Sequence, residues 1–505
     1  MVVTAHYLAT AAGVAVLEEG GNAMDAAAAA SMALAVCESA GSGLGGMALA
    51  VVHDARTGAT LTLEAPCRAP RSATHEAVAR ANRYRGYTAV AIPTHMAFVR
   101  RLLERYGTAG ARRVLAPAIE LAEEGFPLTP MQSRLIGRYA KALRGGNAAG
   151  LYLDPRGRPL PAGHRFRQPR LAETLRRLDR AGLEDFYRGE IAREIVADFE
   201  AHGGFLEARD LAELPPPRER QAIRGVFAGD VVQTLGPPSG GLALLQMLQV
   251  LERMPGELAD LRTPAGAVRI AQVIRQARRD RIRYRLRTGG EHLGEAAVLL
   301  TADYAAAGAE IIAAESVGGA GETSHICTMD TAGNAISLTQ SIERSFGAGV
   351  ATPALGFLYN GYLRAFKVQN RRHPHFLRPG AAARSNAAPT LVTRDGRPRI
   401  AIGSTGSERM VSGILQVLVR LLRQTPFDAS HSPRLHCTPG SEVIWEAARF
   451  PPETEAALLG AGFRLTAVAP YSFEAGGLQL LVRDGPLMVG ISEPRRDGAA
   501  AGPRV

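Results

Sequence analysis

The sequence predicts a soluble protein of mixed α and β structure with a large core. Two observations carry this. Of 505 residues, 46% are hydrophobic and 21% charged, the balance of a globular chain and not of a disordered, collagenous or coiled-coil one. Helical patterns, alanine-rich from Leu8 to Val36 and amphipathic from about Met96 to Arg287, also occur beside paired apolar runs of strand length. The composition excludes other classes. A net charge of +11 nominally keeps polyanions in play, but only 6% of residues are aromatic and Trp445 is the single tryptophan, so no base-stacking surface is expected. Lysine occurs only at Lys141 and Lys367, and the arginines are diffuse, the signature of a GC-rich genome more than of a phosphate-binding face; no nucleic-acid partner is expected.

Cys37, Cys67, Cys327 and Cys437 are far apart and form no Cys-x-x-Cys pair, so neither a zinc site nor a disulfide framework is expected, and a reducing compartment fits. The first residues lack a basic segment followed by an apolar one, and no stretch reaches the roughly 18 apolar residues of a membrane span. The expectation is a cytoplasmic protein with no membrane partner, entering its first helix almost at once.

From Leu8 to Val36 the pattern is helical, broken at Gly20-Gly21-Asn22 and restarting with small residues on every face, which demands close packing. The turn Gly41-Ser42-Gly43-Leu44-Gly45-Gly46 leads into strands at Met47–His53 and Ala59–Leu63. Because this glycine loop joins a helix to a hairpin and does not open a helix after a strand, it lacks the context of a nucleotide-binding loop. Residues 96 to 287 read as mostly amphipathic helix, with prolines at Pro215-Pro216-Pro217 and Pro237-Pro238, and with arginines at 275, 278, 279, 281, 283, 285 and 287 crowding one helix as a solvated face with carboxylate partners. Ala305 to Ala320 reads as an exposed flexible segment. Strands are expected at 324–329 and 335–341 around the turn Asp330 to Asn334, then at 390–393, 398–403 and 477–483, with a helix at 411–422.

A flexible approach ending in Gly321-Glu322-Thr323-Ser324-His325 at the head of a core strand is where self-cleavage can occur. A threonine hydroxyl needs a base to act as a nucleophile. Were the bond before Thr323 broken, the freed α-amine, with a pKa near 8, would supply that base from the same residue. Taken alone, Thr323-Ser324-His325 reads as strand filler, and a Thr-His dyad with His325 as base is made unnecessary by the freed amine.

The ensemble decides. Gly20-Gly21-Asn22-Ala23-Met24-Asp25-Ala26-Ala27, Ser42-Gly43-Leu44-Gly45-Gly46, Leu115-Ala116-Pro117-Ala118-Ile119, Ala122-Glu123-Glu124-Gly125-Phe126, Pro237-Pro238-Ser239-Gly240-Gly241, and Thr323-Ser324-His325 with Asp330 to Ser341 occur in an order that closely resembles the γ-glutamyltransferase family of N-terminal-nucleophile hydrolases. The resemblance implies an α+β fold, a four-layer αββα sandwich, cut between Glu322 and Thr323 into a large chain of 1–322 and a small chain of 323–505 that stay intertwined as one domain. It implies no cofactor and no metal, a small-molecule acyl donor, and water or an amine as acceptor. It assigns the nucleophile to Thr323, the supporting hydroxyl to Ser341, and the oxyanion-hole amides to Gly406 and Ser407, where serine replaces the family's second glycine. Thr339, two residues before Ser341, would point to the same face.

The glutamyl-recognition positions depart from the family. Pro66 stands where a carboxylate-clamping arginine belongs, with Arg68 two residues away as a substitute, and Asn360-Gly361-Tyr362-Leu363-Arg364-Ala365-Phe366 has Arg364 where acids are usual. Glu343, Ser385 and Asn386 match the remaining substrate contacts. A cation in place of an acid repels an ammonium group. The expected donor is therefore not ordinary glutathione, and Arg68 and Arg364 would grip an anionic substrate. The family includes members of antibiotic pathways, among them enzymes that cleave a C–C bond in 4-alkylproline precursors. The alternatives are a genuine γ-glutamyl hydrolase or transferase and, from another class, an uncleaved binding protein of the same fold.

Overall fold

The computed structural model describes residues 1–254, 261, 263–283, 298–305 and 322–504. The expected flexible segment Ala305–Ala320 lies outside the described residues except for Ala305, which is buried, and so do Arg285 and Arg287. Two large sheets form the centre. The first has seven strands in the order Ala499–Ala501, Val2–Thr4, Glu322–Met329, Ala335–Glu343, Met47–Asp54, Ala59–Ala65 and Arg218–Gln221. The second has six, in the order Leu487–Ser492, Leu478–Asp484, Arg397–Ser404, Thr390–Arg394, Asp230–Thr234 and Ile223–Phe227. Helices cover the outer face of each, Ala23–Cys37 on the first and Arg409–Arg420 with Gly241–Arg253 on the second, giving the α+β, αββα layering that the resemblance implies.

Three buried clusters correspond to the three gaps between layers: one under Ala23–Cys37, one under Arg409–Arg420, and one between the sheets containing Val3, Leu49, Val51, Cys327, Leu391, Ala401 and Leu481. Every residue of Ala23–Cys37 is buried. Alanine makes this possible, because its short side chain lets the helix backbone approach the sheet. The helix begins where Gly20-Gly21-Asn22 breaks the periodicity: Asn22 accepts from the amides of Met24 and Asp25, and the Asp25 carboxylate accepts from the Asn22 N–H, a reciprocal capping box. The turn of the central hairpin locks onto the same helix end, since Asp330 accepts from Asn334 and, at 3.0 Å, from the Ala23 amide.

The expected strands appear with ends shifted by a residue or two, but three regions differ. Val2–Thr4, to which the sequence reading gave no element, is a strand inside the first sheet, because its amides pair with both Glu322–Met329 and Ala499–Ala501. The 96–287 region is not only helical. Arg218–Gln221 and Ile223–Phe227 form edge strands of opposite sheets separated by Ala222 alone, so the chain crosses between sheets there. The arginine helix, described as Pro264–Arg283, is not simply a solvated face: Arg275 is buried, and Arg281 donates to Asn386 Oδ1 at 2.7 Å and to the carbonyls of Ser385 and Pro238.

Along Glu322–Met329 side chains alternate between faces. Ile326 packs under the helix, while His325 and Cys327 face the second sheet. There His325 is fully buried and hydrogen-bonded to Thr339 Oγ1 at 2.9 Å and Ser337 Oγ at 3.2 Å, and Ser337 bonds the Ile402 carbonyl of the opposing sheet. A Cβ at Gly403 would lie 2.0 Å from the imidazole, so glycine at 403 is what lets the ring fit between sheets. Gly403→Ala is expected to destabilise the fold by about 3 kcal/mol, with His325→Ala partly restoring it; equilibrium urea unfolding of the single and double variants measures this.

Candidate active site

The hairpin Glu322–Met329 and Ala335–Glu343 carries the reactive groups at its open end. Thr323 and Ser341 face each other across the pair, both nearly buried, and the Thr323 hydroxyl donates to Ser341 Oγ at 3.5 Å. Ser341 Oγ also accepts from the Glu343 amide at 2.9 Å and bonds the buried Tyr362 phenol. The glycine loop explains itself here. A Cβ at Gly46 would lie 2.5 Å from the Ser341 carbonyl and one at Gly45 2.3 Å from that of Leu358, while Gly41 sits against the Thr323 backbone. The loop is glycine-rich so that backbone can press on backbone beside the threonine.

Thr323 and Ser341 open on a cavity of about 120 Å³ also lined by Glu343, Tyr362, Arg364, Ala365, Arg384, Ser385, Asn386, Ser407, Glu408 and Met410. The structure thus brings together Thr323, Ser341, Glu343, Arg364, Ser385, Asn386 and Ser407 from segments far apart in the chain. One expectation changes, and the Thr-His alternative is closed. Arg68 does not line the cavity: its guanidinium donates to the Gly380 carbonyl at 2.8 Å, so it is not placed as a carboxylate clamp. The side chain of His325 is committed to Thr339, Ser337 and Cys327, and burial lowers its pKa to about 3, which leaves no Thr-His dyad.

Tyr362, Arg384 and Glu408 are pocket residues that sequence reasoning did not single out. Tyr362 belongs to the segment read for its missing acids, and Arg384 directly precedes Ser385-Asn386, so both were within reach of the motifs. Glu408 follows the glycine turn but carries no pattern of its own. With Glu343, which the sequence already placed among the substrate contacts, it gives the cavity two carboxylates, although the 360–366 segment contributes none. Each is already engaged: Glu343 with Arg364 at 3.5 Å, and Glu408 with Arg278 of the arginine helix. Arg384 is exposed and, among the described residues, forms no ion pair. Arg281 lies behind the Ser385-Asn386 wall, its pKa lowered to about 9 by burial and by Arg278 and Arg384.

Burial raises the Glu343 carboxyl to about 7, against the pull of Arg364, Arg344, Arg384 and Arg85. One of its oxygens, Oε2, has no hydrogen-bond partner.

The turn Gly403-Ser404-Thr405-Gly406-Ser407 follows the strand Arg397–Ser404. Gly406 has φ +100° and Ser407 φ +58°, a left-handed conformation that serine adopts at a cost of about 1 kcal/mol. Among the described residues the N–H groups of Gly406 and Ser407 find no acceptor, as amides kept for a developing oxyanion require. Ser407 lines the cavity; Gly406 does not.

Two packed antiparallel sheets between helices, with a strand-borne threonine beside a hydroxyl and a left-handed turn, define an N-terminal-nucleophile hydrolase. The chain belongs to the γ-glutamyltranspeptidase family, whose model it matches over residues 9–503. It is 32% identical to the Acylase ACY 1 proenzyme of Pseudomonas sp. (strain V22) over 495 residues, covering 92% of this chain and 87% of that one. It is 28% identical to the glutathione hydrolase proenzyme of Bacillus subtilis (strain 168) over 544 residues, covering 99% and 91%. Among solved structures it superposes on the cephalosporin acylase from Bacillus halodurans with a TM-score of 0.89, at 28% identity and covering 100% and 96% of the two chains. It is an enzyme, and a non-catalytic binding protein is set aside.

Two predictions follow from this geometry. Glu343 binds its proton more tightly folded than unfolded, so its contribution to stability is full below pH 4.5 and is lost as pH rises through 7. Glu343→Gln should flatten the stability–pH curve across that window, by about 3 kcal/mol at most, in isothermal denaturation. Ser407→Gly should keep activity and raise unfolding free energy by no more than about 1 kcal/mol, read from urea midpoints.

Proposed function

We propose that this protein matures by cutting its own chain before Thr323 and then acts as a hydrolase or acyltransferase on an amide whose acyl part ends in an anion and lacks an α-ammonium group. In maturation the Thr323 hydroxyl attacks the Glu322 carbonyl, and water hydrolyses the resulting ester, leaving chains of 1–322 and 323–505. The freed α-amine then takes the proton from Thr323 Oγ as that oxygen attacks the substrate carbonyl. The amides of Gly406 and Ser407 stabilise the oxyanion, each worth about 3 kcal/mol. The leaving amine departs protonated, and water or an acceptor amine releases the acyl group from Thr323. The proenzyme names of the acylase and glutathione hydrolase relatives support the processing step.

One observation carries the substrate reading: Arg384 is the cavity-lining cation that forms no ion pair among the described residues, while both lining carboxylates already face arginines. A carboxylate on the acyl group matches the planar guanidinium fork, and an ammonium there meets like charge. The acylase relative and the cephalosporin acylase structure fit such a donor. Cleavage of a C–C bond in a 4-alkylproline precursor within specialised, cytoplasmic metabolism is a related reaction that shares the acyl ester on Thr323, with an enolate carbon leaving in place of the amine and taking up the proton.

A second reading, a genuine γ-glutamyl hydrolase or transferase, draws on Glu343 Oε2, which is free to meet an α-ammonium. With a pKa of about 7 that carboxyl is half neutral near neutral pH, which weakens it as an ammonium ligand. Glutaryl- and γ-glutamyl-p-nitroanilide differ only by that ammonium and separate the readings. The glutaryl compound should have the higher kcat/KM at pH 6.5, with the γ-glutamyl compound gaining as pH rises past 7; a large γ-glutamyl advantage at pH 6.5 favours the second reading. Arg384→Gln should raise KM for the glutaryl donor ~10- to 100-fold, the value of a charged hydrogen bond, and leave the neutral butyryl analogue unchanged. Thr323→Ala should give one full-length band on a denaturing gel where the parent gives two.

A further inference from the structure

The turn that carries the oxyanion amides places two successive residues, Gly406 and Ser407, at positive φ, a strained conformation for the serine, and something has to hold it. In sequence, the Arg409 and Met410 amides donate to the Gly406 and Ser407 carbonyls at 3.2 and 3.3 Å, which leaves the Thr405 side of the turn to be held from elsewhere. What touches it is a second glycine turn, Gly476-Gly477, at the start of the strand Leu478–Asp484. The Thr405 amide donates to the Gly477 carbonyl at 2.7 Å, the Ser404 hydroxyl donates to the same carbonyl at 2.8 Å, and the Gly477 amide donates back to Thr405 Oγ1 at 3.0 Å. The fit is close: a Cβ at Gly476 would lie 2.7 Å from the Thr405 carbonyl and one at Gly406 3.0 Å from Gly476 Cα.

The second turn is in turn fixed from beneath by charge. Arg434 donates to the Gly476 carbonyl at 2.8 Å, and Glu493 accepts from the Leu478 amide at 2.9 Å, so the residues flanking Gly477 are gripped on both sides. Arg434 and Glu493 pair with each other at 3.4 Å, and Arg495 joins Glu493 to Glu446. Glu446 accepts from the Arg434 amide at 3.0 Å. All four side chains are buried, at 0 or 1% exposure. A buried ion cluster of this kind is poor evidence for stability, because hydrophobic replacements often do as well, but it fixes geometry. None of these residues lines the cavity.

We propose that the Arg434–Glu493–Arg495–Glu446 cluster, acting through Gly476-Gly477 and Thr405, positions the Gly406 and Ser407 amides for the oxyanion. Thr405, Arg434 and Glu493 are then positioning residues that act on the chemical step and not on donor binding. The inference rests on the proposed function, since it takes those two amides as the oxyanion donors.

Thr405 gives the cleanest test, because Thr405→Val keeps the shape and removes only the acceptor of the Gly477 amide, while Thr405→Ser restores it. Assays use the full chain after maturation, with kcat and KM from the faster of glutaryl- and γ-glutamyl-p-nitroanilide per mole of small chain, alongside melting temperature. Removal of a whole oxyanion donor lowers kcat by about 100- to 1000-fold, so misplacing the pair in Thr405→Val should lower it by ~10-fold or more, with KM within ~2-fold of the parent and Thr405→Ser close to it. Ser404→Ala, a milder cut of the same link, should lower kcat in the same sense and serves where Thr405→Val fails to mature. A lowered melting temperature with unchanged kcat per mature site, or an effect confined to KM, overturns the proposal. Thr323→Ala separates this from failure of the underlying reading: if that variant still matures and turns over, the nucleophile assignment falls, whatever Thr405 does.

Discussion

The close packing of two sheets across the inward face of one hairpin is the constraint on which the site depends. Side chains on Glu322–Met329 and Ala335–Glu343 alternate, so Thr323, His325, Cys327, Ser337, Thr339 and Ser341 all turn toward the second sheet. A polar face there costs free energy unless its groups are paired. They are paired with one another and with carbonyls of the opposing strands, His325 on Thr339 and Ser337, Ser337 on Ile402, Cys327 on Gln479. At the open end of the hairpin the seam reaches the cavity, and that is where Thr323 and Ser341 stand. The interior part of the seam fixes register; its last pair of hydroxyls is left for chemistry.

Charge around the cavity is arranged in two shells that do different things. Lining it, Glu343 and Glu408 are each set against an arginine, and Arg384 is left over. Behind the wall, Arg281 spends its guanidinium on Asn386, Ser385 and Pro238, which ties the Pro237-Pro238-Ser239-Gly240-Gly241 motif to the substrate wall. Gly240 completes this, since a Cβ there would lie 2.4 Å from the Asn386 carbonyl. A family motif with no reactive atom of its own thus acts on the pocket through one buried cation. The arginine-rich helix is accordingly better described as a support for the site than as a solvated surface.

Much of this was legible in the sequence where the governing rule is local. The break at Gly20-Gly21-Asn22 reads as a helix restart because Asn22 caps the next turn, and the hairpin around Asp330 reads from alternation and turn residues. The edge strands Arg218–Gln221 and Ile223–Phe227 did not read as strands: they are polar, half-exposed and short, and only pairing with Ala59–Ala65 and Asp230–Thr234 makes them strands. Val2–Thr4 is equally short, and its place between Ala499–Ala501 and Glu322–Met329 depends on the two ends of the chain meeting.

By itself the sequence determined the central hairpins and the helix that follows Gly20-Gly21-Asn22, the family, and the threonine that heads a core strand, because these depend on residue type and spacing over a few positions. Tertiary structure decided which charges meet the substrate. Arg68 and Arg384 are alike on paper, yet one guanidinium is taken by the Gly380 carbonyl and the other stands on the cavity. Glu408 enters the site from a turn on the second sheet, and His325 is withdrawn from chemistry by a glycine on a strand 78 residues away. The physical reason is the same in each case: what a polar side chain can do is set by which partners it finds when the sheets close, and those partners are distant in the chain.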